Sequence, residues 1–264
     1  MPLNLESIVK NDKLQDIFLW IVQSGMENPQ SVYMTDDKRV IYVRNDLYDE
    51  FTMQIIGRIV STLVVKEDQI EIKDMDIVWN NHNLTVIEPQ NHVIEDDEED
   101  EYYEVEVNDH HCTVVAINRF TKENILNMKH EVSISVLPFS LLISESLDEL
   151  NHIIGMNKTI TIDEMECKID GFSDDFMMSN GIFNSNDASS SLIGKVLSFK
   201  DVKVVFGDVD CEFVIAQVET GLGIVPVSMS KDIFDLEKLK EGSYLFIQAM
   251  VKADFAKSDV FNEV

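Results

Sequence analysis

The sequence predicts an α+β protein, a mixed helix/strand N-terminal region followed by a small all-β, barrel-like C-terminal domain. Three observations carry this expectation. Apolar residues recur at helical spacing near the N-terminus. From Gly194 onward, β-rich runs alternate with Gly-Asp and Thr-Gly turns. Between these parts, Ser173 to Ser191 is rich in Ser, Asn and Asp and carries no basic residue, the texture of an exposed linker. The chain thus divides into an acidic α+β domain over 1–155, strands and a polar linker over 156–191, and a barrel-like domain with one short helix over 192–264.

The elements follow in order. Leu14, Ile17, Phe18, Ile21 and Val22 share a helical face, with Asn11 as cap and Gly25 as stop. SVYMTDDKRVIYV reads as two short strands about Asp36-Asp37. A second helix is expected after Asn45, with Leu47, Phe51, Ile55, Ile59 and Leu63 facing inward and Gly57 weakening it. Strands follow around Ile70, Ile77–Trp79 and Leu84–Ile87. YYEVEV and HCTVVAI flank Asn108-Asp109, a turn pair suited to a hairpin. A short helix from Thr121, a strand over Val132–Leu137, and a helix capped by Ser146 and closed by Gly155 complete this part. TITID and CKIDGF suggest two further strands.

The C-terminal part is the most legible. GKVLSFKDVKVVF, CEFVIAQVET and LGIVPVSMS are three strands. An amphipathic helix capped by Ser230 then carries Ile233, Phe234, Leu236 and Leu239 to Gly242, and YLFIQAMVKADF closes the domain. This order resembles an OB-type barrel, a likeness of pattern that no diagnostic motif supports.

Charge bounds the function. The 264 residues hold 49 Asp and Glu against 21 Lys and Arg, a net of −28. Phosphate backbones and anionic lipids are bound largely through Lys and Arg, so direct nucleic-acid or membrane binding is disfavoured. The charge is uneven. Lys195 to Val264 contains 8 Lys or Arg against 12 Asp or Glu, a net of −4, which leaves −24 on residues 1–194. Glu95, Asp96, Asp97, Glu98, Glu99, Asp100 and Glu101 form an unbroken acidic tract. Its carboxylates repel one another and stay solvated, and it is the candidate interaction tract for a basic protein.

Other groups weigh less. His110, His111 and Cys112 are the densest potential metal ligands, but no second pair lies at zinc-site spacing. Asp208, Asp210 and Glu212, and Asp170, Asp174 and Asp175, are carboxylate groups without the EF-hand pattern. Gly221 and Gly223 start a dinucleotide-like run that leads into a strand, where phosphate binding needs a helix N-terminus. A nucleic-acid groove would draw on Lys195, Lys200, Lys203 and Lys252 with Phe199, Phe206, Phe213, Tyr244, Phe246 and Phe255; aromatics that fill the barrel are the simpler account. Cys112, Cys167 and Cys211 read as reduced cysteines of a cytoplasmic chain. No cofactor or metal is expected. The favoured reading is a non-catalytic protein-interaction or assembly module with a protein partner, plausibly basic. The alternatives are an acidic decoy of a nucleic-acid-binding protein and a divalent-metal-assisted hydrolase.

Overall fold

The computed structural model describes residues 11–27, 32–34, 40–66, 69–81, 83–92, 102–107, 110–117, 126–162, 165–180 and 189–254. The N-terminal helix forms as expected, as α1 (Asn11–Glu27). It buries Leu14, Ile17 and Ile21, and it runs past Gly25. Asn45, after which a second helix is expected, instead sits buried in a strand and donates its side-chain amide to the Ile21 carbonyl at 2.8 Å. That bond ties α1 to this strand.

The expected second helix is not there. Its residues belong to β2 (Val40–Tyr48) and β3 (Ile55–Lys66), which pair antiparallel, with β1 (Val32–Met34) and β4 (Gln69–Trp79) completing a four-stranded sheet in the order β1-β2-β3-β4. The reason lies in the spacing. Residues four apart lie on one face of a helix, but they also lie on one face of a strand. Ile59 and Leu63 therefore stay buried, while Phe51 and Ile55 are exposed. The β-branched residues in IIGRIVSTLVV decide for the strand. Gly57 stands opposite Trp79, and a Cβ there would lie 2.5 Å from the Val78 carbonyl oxygen.

A second and larger correction concerns the fold class. The chain is mostly β, and the expected C-terminal barrel is part of a nine-stranded mixed sheet that does not close as a ring. Its strands are β5 (Leu84–His92), β6 (Tyr102–Val107), β7 (His110–Ile117), β8 (His130–Ser144), β11 (Met177–Ser179), β12 (Ser190–Phe206), β13 (Val209–Thr220), β14 (Gly223–Ser230) and β15 (Tyr244–Asp254), in the order β11-β12-β13-β14-β8-β15-β7-β6-β5. β12 also pairs with β15, and β8 with β5. β9 (Lys158–Ile162) and β10 (Met165–Ile169) form a separate hairpin. The helix capped by Ser146 is α2 (Leu147–Ile153), whose first turn is held by the Ser146 hydroxyl accepting from the Glu149 amide.

The expected helix after Ser230 is also absent. Ser230 starts one turn, its carbonyl accepting from Phe234 at 3.0 Å. The Asp235 carboxylate then accepts from the Glu237 amide at 3.1 Å, a local turn that competes with helix continuation. Phe234, Leu236 and Leu239 still pack on the core, but from a loop. The polar run is corrected too: Ser189, Ser190 and Ser191 are buried, and the last two open β12. The Ser190 hydroxyl accepts from the Thr113 amide at 2.9 Å and donates to the Thr113 carbonyl at 3.0 Å. Residues 121–125, where a short helix is expected to begin, and the tract Glu95–Glu101 lie outside the described residues.

Two hydrophobic cores result from strand alternation. On β13, Val214, Ala216 and Val218 face the first core, with residues of β5–β8, β14 and β15. Cys211, Phe213 and Ile215 face the second, with α1 and the four-stranded sheet. Trp79 bridges the sheets: its amide donates to the Ser135 hydroxyl at 3.0 Å, and its ring meets Phe213 edge-on at 5.7 Å. Gly57→Ala should push β3 off Trp79 and Val78 and lower unfolding free energy by about 1–3 kcal/mol. A denaturant midpoint within error of wild type would show that β3 and β4 are not that closely packed there.

Candidate interaction surface

β12 parts from β15 after Lys195, next to a bulge in its pairing with β13 between Val196 and Ser198. Before it, Ser190–Lys195 pair with β15; beyond it, β12 pairs only with β13, among the described residues. Phe206 and Val209 close the tight turn between β12 and β13, and register alternation from this pair turns the backbone groups of Phe199, Asp201 and Lys203 away from β13. Lys203 agrees with that parity. Its carbonyl accepts from the Glu50 amide at 2.9 Å, and its amide donates to the Asp49 carboxylate at 3.4 Å. At the other end the Val196 amide donates to the Ser243 carbonyl, and its carbonyl accepts from Gly242, both at 2.8 Å. Between these anchors Leu197, Ser198, Phe199, Lys200 and Asp201 are exposed in succession, an open strand edge.

An open groove of about 340 Å³ lies beside this edge, lined by Phe199, Asp201, Val214, Lys231, Phe234, Leu236, Glu237 and Leu239. The loop from Lys231 to Gly242 forms its far wall. The Lys231 amide donates to the Glu212 carbonyl at 3.1 Å, and its ammonium contacts Asp201 at 2.8 Å and Glu212 at 3.7 Å. The hydrogen bond to Asp201 raises the Lys231 pKa against the opposing pull of desolvation.

The β2–β3 turn docks at the Lys203 end. Its Asp49 is buried, and the carboxylate accepts from the Thr52 hydroxyl at 2.8 Å and the Phe51 amide at 3.3 Å. Burial pushes the Asp49 pKa up, but the bonds from Thr52, Lys203 and Phe51 outweigh it and hold the carboxyl below its ordinary value. The Lys203 ammonium joins Glu50 at 2.7 Å and Asp210 at 2.9 Å, and both hydrogen bonds raise its pKa. On this fixed turn Phe51 is 71% and Met53 73% exposed. Met53 also has φ 55°, a left-handed conformation that costs a non-glycine residue roughly 1–2 kcal/mol.

The residues expected to carry function are scattered. Of the proposed lysine groove, Lys252 is fully buried and Lys203 is ion-paired; Phe206 and Phe213 are core residues, whereas Phe199 is exposed. Phe255 lies outside the described residues. Cys112 is buried in the first core and His111 is exposed. Asp210 and Glu212 each contact a lysine, and Asp170 contacts Lys168 at 2.9 Å. Among the described residues no group of three or more His, Cys, Asp or Glu could hold a metal ion. Gly221 and Gly223 flank the turn between β13 and β14. Sequence reasoning missed Asp49, Lys231 and Met53. Only the Asp–x–x–Thr spacing of Asp49 and Thr52, a turn signature, hinted at the first.

Comparison with protein-family models, curated proteins and solved structures finds no match. No helix among the described residues is long and apolar enough to cross a membrane.

Asp49 binds its proton less tightly when folded, so the unfolded chain takes up protons first as pH falls. Its stabilising contribution is complete above the ordinary carboxylate range near about 4 and is lost as pH falls through the depressed folded value. Asp49→Asn should therefore lower the denaturant midpoint at neutral pH, and the gap from wild type should narrow below that range. A gap independent of pH would refute the assignment. Burial pushes the Cys112 thiol up to about 12 and the Cys211 thiol up to about 11, while Cys167 is exposed. Iodoacetamide should modify Cys167 in the folded protein and all three cysteines after denaturation, as read by intact mass. Fast modification of Cys112 without denaturation would contradict the burial.

Proposed function

We propose that this chain is a non-catalytic protein-interaction module whose contact surface is the Phe51–Met53 turn and the strand edge bonded to it. Met53 carries the reading. A methionine held at positive φ and turned to solvent has a backbone cost that glycine would avoid, and its side chain gains nothing from the core. Met and Phe are also the side chains that bury well at protein interfaces. The net charge of −28 supports a partner of basic character. A metal-assisted hydrolase has less support, because lysines occupy the Asp210 and Glu212 carboxylates. A nucleic-acid groove has less too, since Lys203 and Lys231 each serve two carboxylates.

Met53→Gly and Phe51→Ser separate contact from folding. Met53→Gly should hold or raise the melting temperature, by relieving the backbone. Proteins captured by the tagged full chain from extract, identified by mass spectrometry, should include at least one that both variants lose. A second tagged variant with Glu95–Glu101 changed to Gln and Asn reports whether the acidic tract binds instead. Identical captured sets for wild type and the turn variants would refute the contact surface.

A further inference from the structure

This inference rests on the interaction reading above and adds where and how the partner binds. We propose that the open edge of β12 between Val196 and Lys203 takes an extended segment of a basic partner protein as an added strand. The backbone provides for it. Val196 and Lys203 mark the two ends, since their outward groups are bonded to Gly242 and Ser243 and to Asp49 and Glu50. Phe199 and Asp201 lie between them with outward amides and carbonyls that no described strand pairs. Such a row is a template for another strand, and recognition by strand addition draws affinity from the ladder and specificity from pockets that take alternate side chains.

The groove supplies that pocket. Phe199 and Asp201 lie on one face of β12, and Val214, Phe234, Leu236 and Leu239 continue the apolar surface beside them. An incoming strand thus meets an apolar groove at Phe199 and a carboxylate at Asp201. The surroundings set the sign of the partner. Glu50, Asp201, Asp210, Glu212 and Glu237 border the edge, against Lys200, Lys203 and Lys231. A second copy of this chain fits poorly, because each copy carries a net charge of −28. A strand whose groove-side positions alternate an apolar residue with a lysine or arginine fits both features, with the apolar side chain at Phe199 and the cation beside Asp201 and Glu237.

The probe is a fluorescein-labelled synthetic lysine–valine peptide, with valine and lysine taking turns at every second position and threonine between them, long enough to span Leu197 to Lys203 and titrated against the full chain by anisotropy. Its controls are the glutamate–valine peptide and a lysine–valine peptide N-methylated at every second residue, which cannot complete a ladder. The lysine–valine peptide should bind and slow hydrogen exchange at the Phe199 and Asp201 amides. Phe199→Pro removes one outward amide, a change that an unpaired strand edge tolerates. It should weaken binding at least about fivefold to tenfold, from the lost backbone hydrogen bond together with the lost ring at the groove, with the melting temperature kept. Should that variant not fold, the N-methylated peptide tests the same ladder on the wild-type chain and should bind weaker by at least that factor.

No binding, equal binding of the N-methylated peptide, or unchanged exchange at Phe199 and Asp201 would overturn strand addition. So would a dimer in sedimentation that Phe199→Pro abolishes, because the edge would then belong to a second copy. If the Phe51 and Met53 variants still lose a captured protein while these outcomes occur, the interaction reading stands and only the docking mode fails.

Discussion

Everything else in the molecule hangs on the pairing of β8 with β15. From Tyr244 opposite Ser144 to Asp254 opposite Ser133, the two strands run antiparallel through the interior. β8 is buried without a break from Val132 to Pro138 and serves both cores. Val132, Ile134 and Val136 enter the first core. On the opposite face Ser133 and Ser135 are buried as well, and Ser135 uses its hydroxyl to hold Trp79 of the four-stranded sheet. A polar residue is tolerated there because a hydrogen bond to the neighbouring sheet replaces its lost water. β15 extends the pairing outward, to β12 at one end and to β7 at the other. The partnership with β12 ends where β15 begins, at Tyr244 opposite Lys195, and β12 runs on beyond it to leave a strand edge in solvent.

Charge acts here at two ranges. Over the whole chain the excess of acid makes a field that favours cationic partners and opposes self-association. Locally, lysines work as tethers between elements distant in sequence. Lys203 joins the β2–β3 turn to β13, Lys231 joins the loop after β14 to β12 and β13, and Lys13 joins α1 to the start of that loop through Asp232 at 3.2 Å. These pairs are partly solvated, so each contributes modestly to stability. Their larger consequence is geometric. They hold the turn and the groove beside the open edge, and they occupy the cations that a phosphate backbone would need.

The strands after Gly194 were legible because each is a long β-branched run between turn residues, and such runs are written locally. α1 was legible for the same reason, since its face is regular and its flanks are polar. The β2–β3 segment was misread because a four-residue apolar spacing satisfies both periodicities; only the neighbouring sheet and α1 decide which face is buried. Ser189–Ser191 misled in another way. Serine-rich sequence resembles a linker, yet Ser190 is buried against Thr113, a partner far away in the chain, and Ser189 and Ser191 bond Asn180. The helix expected after Ser230 failed at Asp235, whose side chain bonds its own local backbone.

By itself the sequence determined the acidity, the position of most strands, the two helices at Asn11 and Leu147, and the hairpin joining Tyr102–Val107 to His110–Ile117. Those features depend on neighbouring residues. Tertiary structure alone decided that the strands form one nine-stranded mixed sheet instead of a barrel, because pairing between distant strands is a choice among partners that no local pattern encodes. It also decided which residues could meet a partner. Phe199 and Lys252 were candidates of one kind in the sequence. One lies on an open strand edge and the other inside the sheet, a difference set by which strands bond to β12 and β15.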